Sequence, residues 1–497
     1  MEDRETVRIC LSDMHGLRFH DVAVFKDVAV FKDQLILFVL LALNGLSYLF
    51  HALYGLWAST VMVVFVLTYS FTLNYRHLSA RHFSWATIFV GLLTLFHLGY
   101  YLPARIGLID EIDFMPSVSS IESEVAILLF GTAVLAFEAG VLSGWRRAWR
   151  RRPQCQSPLD APIPSGARLL AIGLPILGLS ILLLLIFVVQ QGGLRSLIQM
   201  SYADYNFFRT QSDSRFEETG IQLFPAGILI TYVGLLFRGA GNKRLFCLRA
   251  LGGAFVLWLL LVGNRGTALL LIVGFIYASH LCKRPVPWKT LVFIGVFSTI
   301  AIPVIAGYRN VVAGERLTAA KEANLVPLAA AVEMGQTFRT LVGFVDFFWK
   351  DHYPLMMGKS YSMAVPLLFP NLGLSRGRAP SGEYYRSAMW ITEQLDPETA
   401  RASSGGLGST GIGEPYANFG YWGVVGLFWL LGLGIGGLEQ YFFLTRSPLT
   451  IAIICGVFAP VNWYVRDDFY GTFRPVAWSI LAIILLFFLT KKRAKTS

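Results

Sequence analysis

The sequence predicts an all-α, polytopic membrane protein with about twelve transmembrane helices and one large external loop. Three observations predict it. The chain is 55% hydrophobic and only 15% charged, against about 25% charged in a soluble domain, and its mean hydropathy is +0.56. Apolar runs close to the ~20 residues needed to cross hydrocarbon recur along it. Short basic clusters follow every second run, the pattern of cytoplasmic loops in a multi-pass protein.

Residues 1–34 mix acids, bases and histidines, with no short apolar core and no small-residue cleavage site, so they read as a cytoplasmic tail and not a signal peptide. Within them Asp21-Val-Ala-Val-Phe-Lys26 is repeated as Asp27-Val-Ala-Val-Phe-Lys32, too few copies for a repeat architecture. Spans are expected near Leu35–Leu53, Leu56–Asn74, Phe83–Leu102, Val125–Leu142, Leu169–Val189 and Ile221–Phe237. Six more are expected near Leu245–Val262, Thr267–Leu281, Thr290–Gly307, Ala417–Phe443, Leu449–Tyr464 and Val476–Thr490. Residues 35–308 thus form a nine-span region, 309–414 the large loop, 415–490 the last three spans and 491–497 a second tail.

Basic residues orient the spans. Arg76 and Arg81 follow the second, and the run from Arg146 to Arg152 follows the fourth. Arg238 to Arg249, Lys283 to Lys289, Arg446 and Lys491 to Lys495 follow the later even-numbered spans. The positive-inside rule makes that face cytoplasmic and places both termini there. Cys10, Cys155, Cys247 and Cys282 lie in or beside the same face and Cys455 in a span; none falls in an outer loop, which agrees weakly. The formal charge of +11 is spread over these loops and forms no basic stripe, which argues against nucleic acid. Zinc-ligand spacing, a CxxC pair and a phosphate-cradling GxxxxGK[ST] are all missing from the sequence, so neither metal nor cofactor is expected.

The 309–414 loop carries Phe338, Phe344, Phe347, Phe348, Trp349, Tyr384, Tyr385 and Trp390, enough apolar surface to fold. It is expected to face outward: in a bacterium, the periplasmic side of the cytoplasmic (inner) membrane. Nucleotide donors are absent there, so chemistry must use a donor already activated in the membrane.

Gly263-Asn-Arg-Gly266 joins two short spans, which holds Arg265 at or inside the outer surface. A guanidinium at that depth usually serves a partner, and its fork suits phosphate; a snorkelling loop arginine is the bland alternative. Arg209 and Gly220 enclose ten residues in another outer segment. The large loop opens with Gly307-Tyr-Arg-Asn310, continues through Met357-Gly-Lys-Ser-Tyr361 and Phe369-Pro-Asn-Leu-Gly-Leu-Ser-Arg-Gly-Arg378, and closes with Gly413-Glu-Pro-Tyr-Ala-Asn-Phe-Gly-Tyr-Trp-Gly423. Pro415 suits a first helical turn, which puts Glu414 at a positive helix end that favours its ionised form. Two readings stand for Glu414: a base for a sugar hydroxyl, or a helix cap. Trp390, Tyr384 and Tyr416 are suited to stacking on sugar rings or to an interfacial aromatic belt.

In this order, these stretches resemble the Wzy-type oligosaccharide repeat-unit polymerases of O-antigens, capsules and exopolysaccharides. The resemblance covers most of the chain, including one large loop before the last three spans. The Arg209–Gly220 spacing also resembles a pattern of outer loops in such polymerases, although the second copy expected in the large loop is not present. Related ligases place a histidine in that loop; here His352 is the only one there and its context differs, so that role is not carried over. The resemblance implies a metal-independent, GT-C-like membrane glycosyltransferase without a cofactor. Its implied substrates are undecaprenyl-pyrophosphate-linked glycans as both donor and acceptor, and a repeat-unit flippase and a chain-length regulator are implied partners. It implies catalytic roles for Arg265 and Glu414, and pyrophosphate or sugar binding by Arg209, Arg309, Arg376, Arg378 and Asn418. An O-antigen-type ligase, a flippase or transporter, and a metal-dependent glycosyltransferase using Asp110, Glu111 and Asp113 are the competing expectations.

Overall fold

The computed structural model describes residues 19–49, 56–77, 84–112, 115–150, 166–190, 192–193, 216–261, 264–282, 286–287, 289, 329–368, 386–398, 407–445, 447–456 and 459–493. Every regular element among them is helical. They are α1 (Phe19–Leu49), α2 (Leu56–His77), α3 (Trp85–Arg105), α4 (Ile121–Arg150), α5 (Gly166–Gln190), α6 (Phe216–Phe237), α7 (Asn242–Leu261) and α8 (Arg265–Cys282). Next come α9 (Ala329–Gly335), α10 (Thr337–Val345), α11 (Lys359–Ala364), α12 (Ser387–Leu395), α13 (Gly413–Thr445), α14 (Pro448–Gly456) and α15 (Phe469–Arg493).

Six stretches are long and apolar enough to cross a membrane: Trp85–Arg105, Ile121–Arg150, Gly166–Gln190, Thr219–Phe237, Gly413–Thr445 and Pro448–Val465. Thr60–Leu73, Gly266–Cys282 and Phe469–Ile484 are shorter apolar helices. This is a multi-pass membrane protein, helical throughout the regular elements of its described residues; the span expected near Thr290–Gly307 lies outside the described residues. The helix α1 starts at Phe19 and takes in both copies of the duplicated segment. The stretch Pro448–Val465, where the eleventh span is expected, is made of α14 and a 3-10 turn, Ala459–Val465.

The bundle is built around α4, buried along most of its length. Glu122 and Glu124 stand in its first turn, Arg147 and Arg150 in its last, each sign matched to the helix dipole. Its partner α13 runs parallel to it, and the contact is made by two facing small-residue steps. A Cβ on Gly432 would overlap the carbonyl oxygen of Phe137, and one on Gly436 would stand 2.5 Å from that of Val141. From the other side, a Cβ on Gly144 would lie 2.5 Å from the Leu433 carbonyl oxygen, and one on Gly140 would overlap that of Trp429. Lipid is as apolar as leucine, so close backbone approach replaces the hydrophobic effect as the cement between such helices. Buried polar groups add fixed points. Asn44 of α1 donates to Leu128 O at 2.8 Å and to the Thr132 hydroxyl at 2.6 Å. Glu439 of α13 accepts from the Trp85 N–H and the Tyr277 hydroxyl, both at 2.5 Å, joining α3, α8 and α13.

The described parts of the 309–414 stretch, residues 329–368, 386–398 and 407–414, pack on one end of this bundle. Gly99 of α3 and Gly335 of α9 meet backbone to backbone, with no room for a Cβ on either. Trp390 of α12 gathers Phe344, Phe347, Phe348 and Tyr353 at ring distances of 5.9, 5.6, 5.4 and 6.2 Å. Lys350 reaches Glu122, at the start of α4, at 3.0 Å.

Candidate functional site

The start of α13 is not a regular helix. Phe419 (φ −137°) and Gly420 (φ 63°, ψ −152°) interrupt it, and the Gly420 backbone is one that a side chain disfavours. The break leaves carbonyls of the preceding turn without helical donors, and the folded loop supplies them. The Met356 N–H donates to Ala417 O at 2.9 Å and the Met357 N–H to Asn418 O at 3.0 Å. Met357 (φ 47°) and Gly358 (φ 84°) turn the chain so that α11 begins directly beside α13.

That stitching delivers Ser360 to Glu414. The Ser360 hydroxyl donates to Glu414 Oε1 at 2.9 Å; the Phe469 N–H and the Tyr464 hydroxyl donate to Oε2 at 2.7 and 3.3 Å. Asn418 Nδ2 donates to Ser360 Oγ and to Glu414 O, both at 2.8 Å, while its Oδ1 is buried with no protein partner. Glu414 and Asn418 are both buried. A carboxylate there is held by three donors from three elements: α11, the 3-10 turn and α15. Tyr361 stands beside it, packed edge-on to Phe469 at 5.3 Å, and burial together with the Glu414 charge pushes its phenol up from the usual tyrosine value. It therefore stays protonated.

A second polar group adjoins the first. Arg386 pairs with Asp468 at 3.1 Å and with Asp467 at 3.5 Å, and Asp468 Oδ1 also accepts from the Gly471 N–H at 2.8 Å. Burial and the adjacent Asp468 charge push the Asp467 carboxyl up, against the pull of Arg386. Arg474 lies over Trp478 at 4.8 Å and over Tyr470 at 5.2 Å, and Arg466 over Phe96 and Trp463 at 5.7 and 5.8 Å. Three guanidinium groups and three carboxylates thus meet where α12, α13, the 3-10 turn and α15 converge. Arg466 is further anchored through its carbonyl, which accepts from the Ser409 N–H at 3.2 Å. The next residue, Thr410, leads into α13 and is fixed from α3: His97 Nε2 and the Thr410 hydroxyl are 2.7 Å apart.

The start of α8 comes to the same place. Arg265 is its first residue, and Asn264 caps it by accepting from the Thr267 N–H at 3.4 Å. A Cβ on Gly266 would overlap the indole of Trp463, the ring that also takes the Arg466 guanidinium at 5.8 Å. The α8 N-terminus, with its partial positive charge, therefore borders the wall that continues through Arg466, Ser409 and Thr410 to Glu414. Of the residues expected from sequence, Arg265, Glu414 and Asn418 are placed around one end of the bundle. Arg209, Arg309, Arg376 and Arg378 lie outside the described residues, as does Asp113. Glu111 is taken up within its own loop, accepting from the Val118 N–H at 3.2 Å. Among the described residues no group of three or more His, Cys, Asp or Glu is placed to hold a metal ion.

Sequence reasoning missed Arg386, Tyr464 and the Arg466-Asp467-Asp468 triplet. The triplet had a visible signal, a run of charge between the last two apolar segments. Compared with known proteins, the chain matches the family described as O-antigen polysaccharide polymerase Wzy over residues 34–496, nearly its whole length. No curated protein and no solved structure matches it.

Proposed function

We propose that this chain, which belongs to the O-antigen polysaccharide polymerase Wzy family, joins undecaprenyl-pyrophosphate-linked repeat units by moving the growing glycan onto a newly arrived lipid-linked unit. As a member of that family it is a glycosyltransferase-type polymerase of the membrane; the donor, the outward-facing site and the residue roles are our reading. The observation that carries it is the convergence of the α8 start, the Arg466 wall and buried Glu414 at the end of the bundle where the described parts of the large loop pack.

In the proposed step an acceptor hydroxyl oxygen bonds to the donor's anomeric carbon while the bond from that carbon to pyrophosphate breaks. Undecaprenyl pyrophosphate leaves with the bonding electrons. Arg265, on the dipole-positive start of α8, binds it and stabilises the charge that develops, the kind of electrostatic effect that usually dominates. Arg209, Arg309, Arg376 and Arg378 are assigned as its helpers. The acceptor proton passes to the Ser360 oxygen as the Ser360 proton passes to Glu414 Oε1, with Asn418 holding Ser360 in line. No metal is assigned a role. The enzyme would work at the periplasmic face of the inner membrane with both termini cytoplasmic, supplied by a flippase and regulated by a chain-length protein.

The test is the profile of lipid-linked glycans in a deletion strain and its complement. Loss of polymer with accumulation of single lipid-linked units supports the reading. Accumulation of finished lipid-linked polymer points to a ligase, and retention of units on the cytoplasmic side to a transporter.

A further inference from the structure

We propose that a cleft at the opposite end of the bundle binds an anionic phospholipid of the surrounding membrane. Helices α4 and α13 run in parallel, so position along one reads off position along the other. Trp429 lies about 12 Å along α13 from Tyr421, just past the break at Phe419–Gly420, at 1.5 Å per residue, and the last turn of α4 lies beyond it. There α1, α4 and α13 enclose a cleft of about 640 Å³, enough for a headgroup and the first part of a chain.

The cleft changes chemistry along its length, as an amphiphile requires. Its lip is formed by Arg146, Arg147 and Arg150. Its wall is formed by Leu35, Phe38 and Trp429, which are 57%, 69% and 39% exposed. The seam between the two is fixed: Gln34 Nε2 donates to the Ser143 hydroxyl at 3.4 Å, and Arg146 Nη1 donates to Gln34 Oε1 at 3.3 Å. Among the described residues no carboxylate lines the cleft. Arg147 also borders a second cleft, of about 500 Å³, walled by Leu433, Tyr441 and Leu444.

Basic residues at the end of a span are common as orientation signals and by themselves bind nothing in particular. What distinguishes this cluster is that three guanidinium groups frame a concavity whose other walls are apolar and exposed. A phosphate diester accepts the planar fork of arginine in two parallel bonds, and basic pockets between membrane helices select anionic headgroups on this principle. The acyl chain then covers Phe38 and Trp429.

The experiment uses the purified full chain in detergent, with phosphatidylglycerol or phosphatidylcholine added and bound lipid counted by native mass spectrometry. Wild type should retain phosphatidylglycerol in preference, and Arg147→Gln/Arg150→Gln should weaken that binding about tenfold. Both side chains are exposed, so folding should survive; Arg150→Gln alone should show a severalfold loss. Lys243→Gln/Arg244→Gln removes the same charge from another exposed basic turn and should leave binding unchanged. Equal loss in that control, equal retention of the two lipids, or displacement of phosphatidylglycerol by millimolar inorganic phosphate would each overturn the proposal.

Discussion

Replacing Glu414 with glutamine is the sharpest test of the site, because it removes the charge and leaves the shape. The glutamine has two ways to sit. With its amide nitrogen at the Oε2 position it would face two donors, the Phe469 N–H at 2.7 Å and the Tyr464 hydroxyl, so the nitrogen takes the Oε1 position instead. The Phe469 bond then survives, and the Ser360 hydroxyl alone loses its acceptor. One orphaned buried donor costs about 1–3 kcal/mol, well inside the ~5–15 kcal/mol by which proteins are stable, so the variant should fold. Loss of the proton acceptor should lower the polymerisation rate per molecule by roughly a hundred- to ten-thousandfold. The assay is polymer formed from lipid-linked repeat units in membranes, normalised to a tagged chain, with a melting curve in detergent alongside. A stability loss of this size can change abundance several-fold, but not the rate per molecule by a hundredfold. If Glu414→Gln polymerises at the wild-type rate per molecule, Glu414 is a structural anchor and not the base.

Arg265→Lys keeps the charge but loses the two-pronged geometry, and should be strongly impaired. Arg265→Ala should lose about 2.7–4 kcal/mol of transition-state stabilisation, and full-length polymer at the normal rate and abundance would remove Arg265 from the site. Gly432→Leu must overlap the Phe137 carbonyl and should destabilise the protein by about 1–3 kcal/mol or more. Gly434→Leu, which meets open space, should not, and equal melting temperatures would refute the α4–α13 contact. In a cysteine-free background, Ser381→Cys should react with a membrane-impermeant thiol reagent in intact cells and Ser157→Cys should not; the reverse pattern overturns the topology. Polymerisation should persist in EDTA, and activity lost to chelation but restored by magnesium or manganese would revive the metal-dependent alternative.

What the sequence made legible follows from how far its signals reach. Apolar runs announce membrane helices because length and composition alone decide them. Glu414 could be read as a helix start because Pro415 and the glycines beside it act within a few residues. Its partners could not: Ser360 and Phe469 reach it across more than fifty residues of chain, and local pattern carries no information about such a meeting. The Arg466-Asp467-Asp468 triplet was visible as charge, but a short charged connection between spans looks the same whether it is solvated or, as Asp468 is, buried against an arginine. The facing steps Gly140–Gly144 and Gly432–Gly436 were also in plain view. Small residues four apart are a known contact signal, yet in a chain with 47 glycines the signal does not say which pair meets. The break at Phe419–Gly420 was hidden for the same reason, since one glycine among several looks like any other until its φ is known.

That break is also what couples the loop to the site. A straight helix would use the carbonyls of Ala417 and Asn418 internally, and the loop would have nothing to grip. Because α13 breaks there, Met356 and Met357 take those carbonyls, and the turn through Gly358 then sets Ser360 against Glu414. Ser360 in turn is held by Asn418, from the same turn of α13 whose carbonyl Met357 occupies. The loop conformation, the break and the hydrogen bonds of Glu414 are therefore a single arrangement, in which no member can move far without releasing another. One oxygen of the Glu414 carboxylate is thus held by the 3-10 turn and the start of α15, through Tyr464 and Phe469, and the other by Ser360 of the loop.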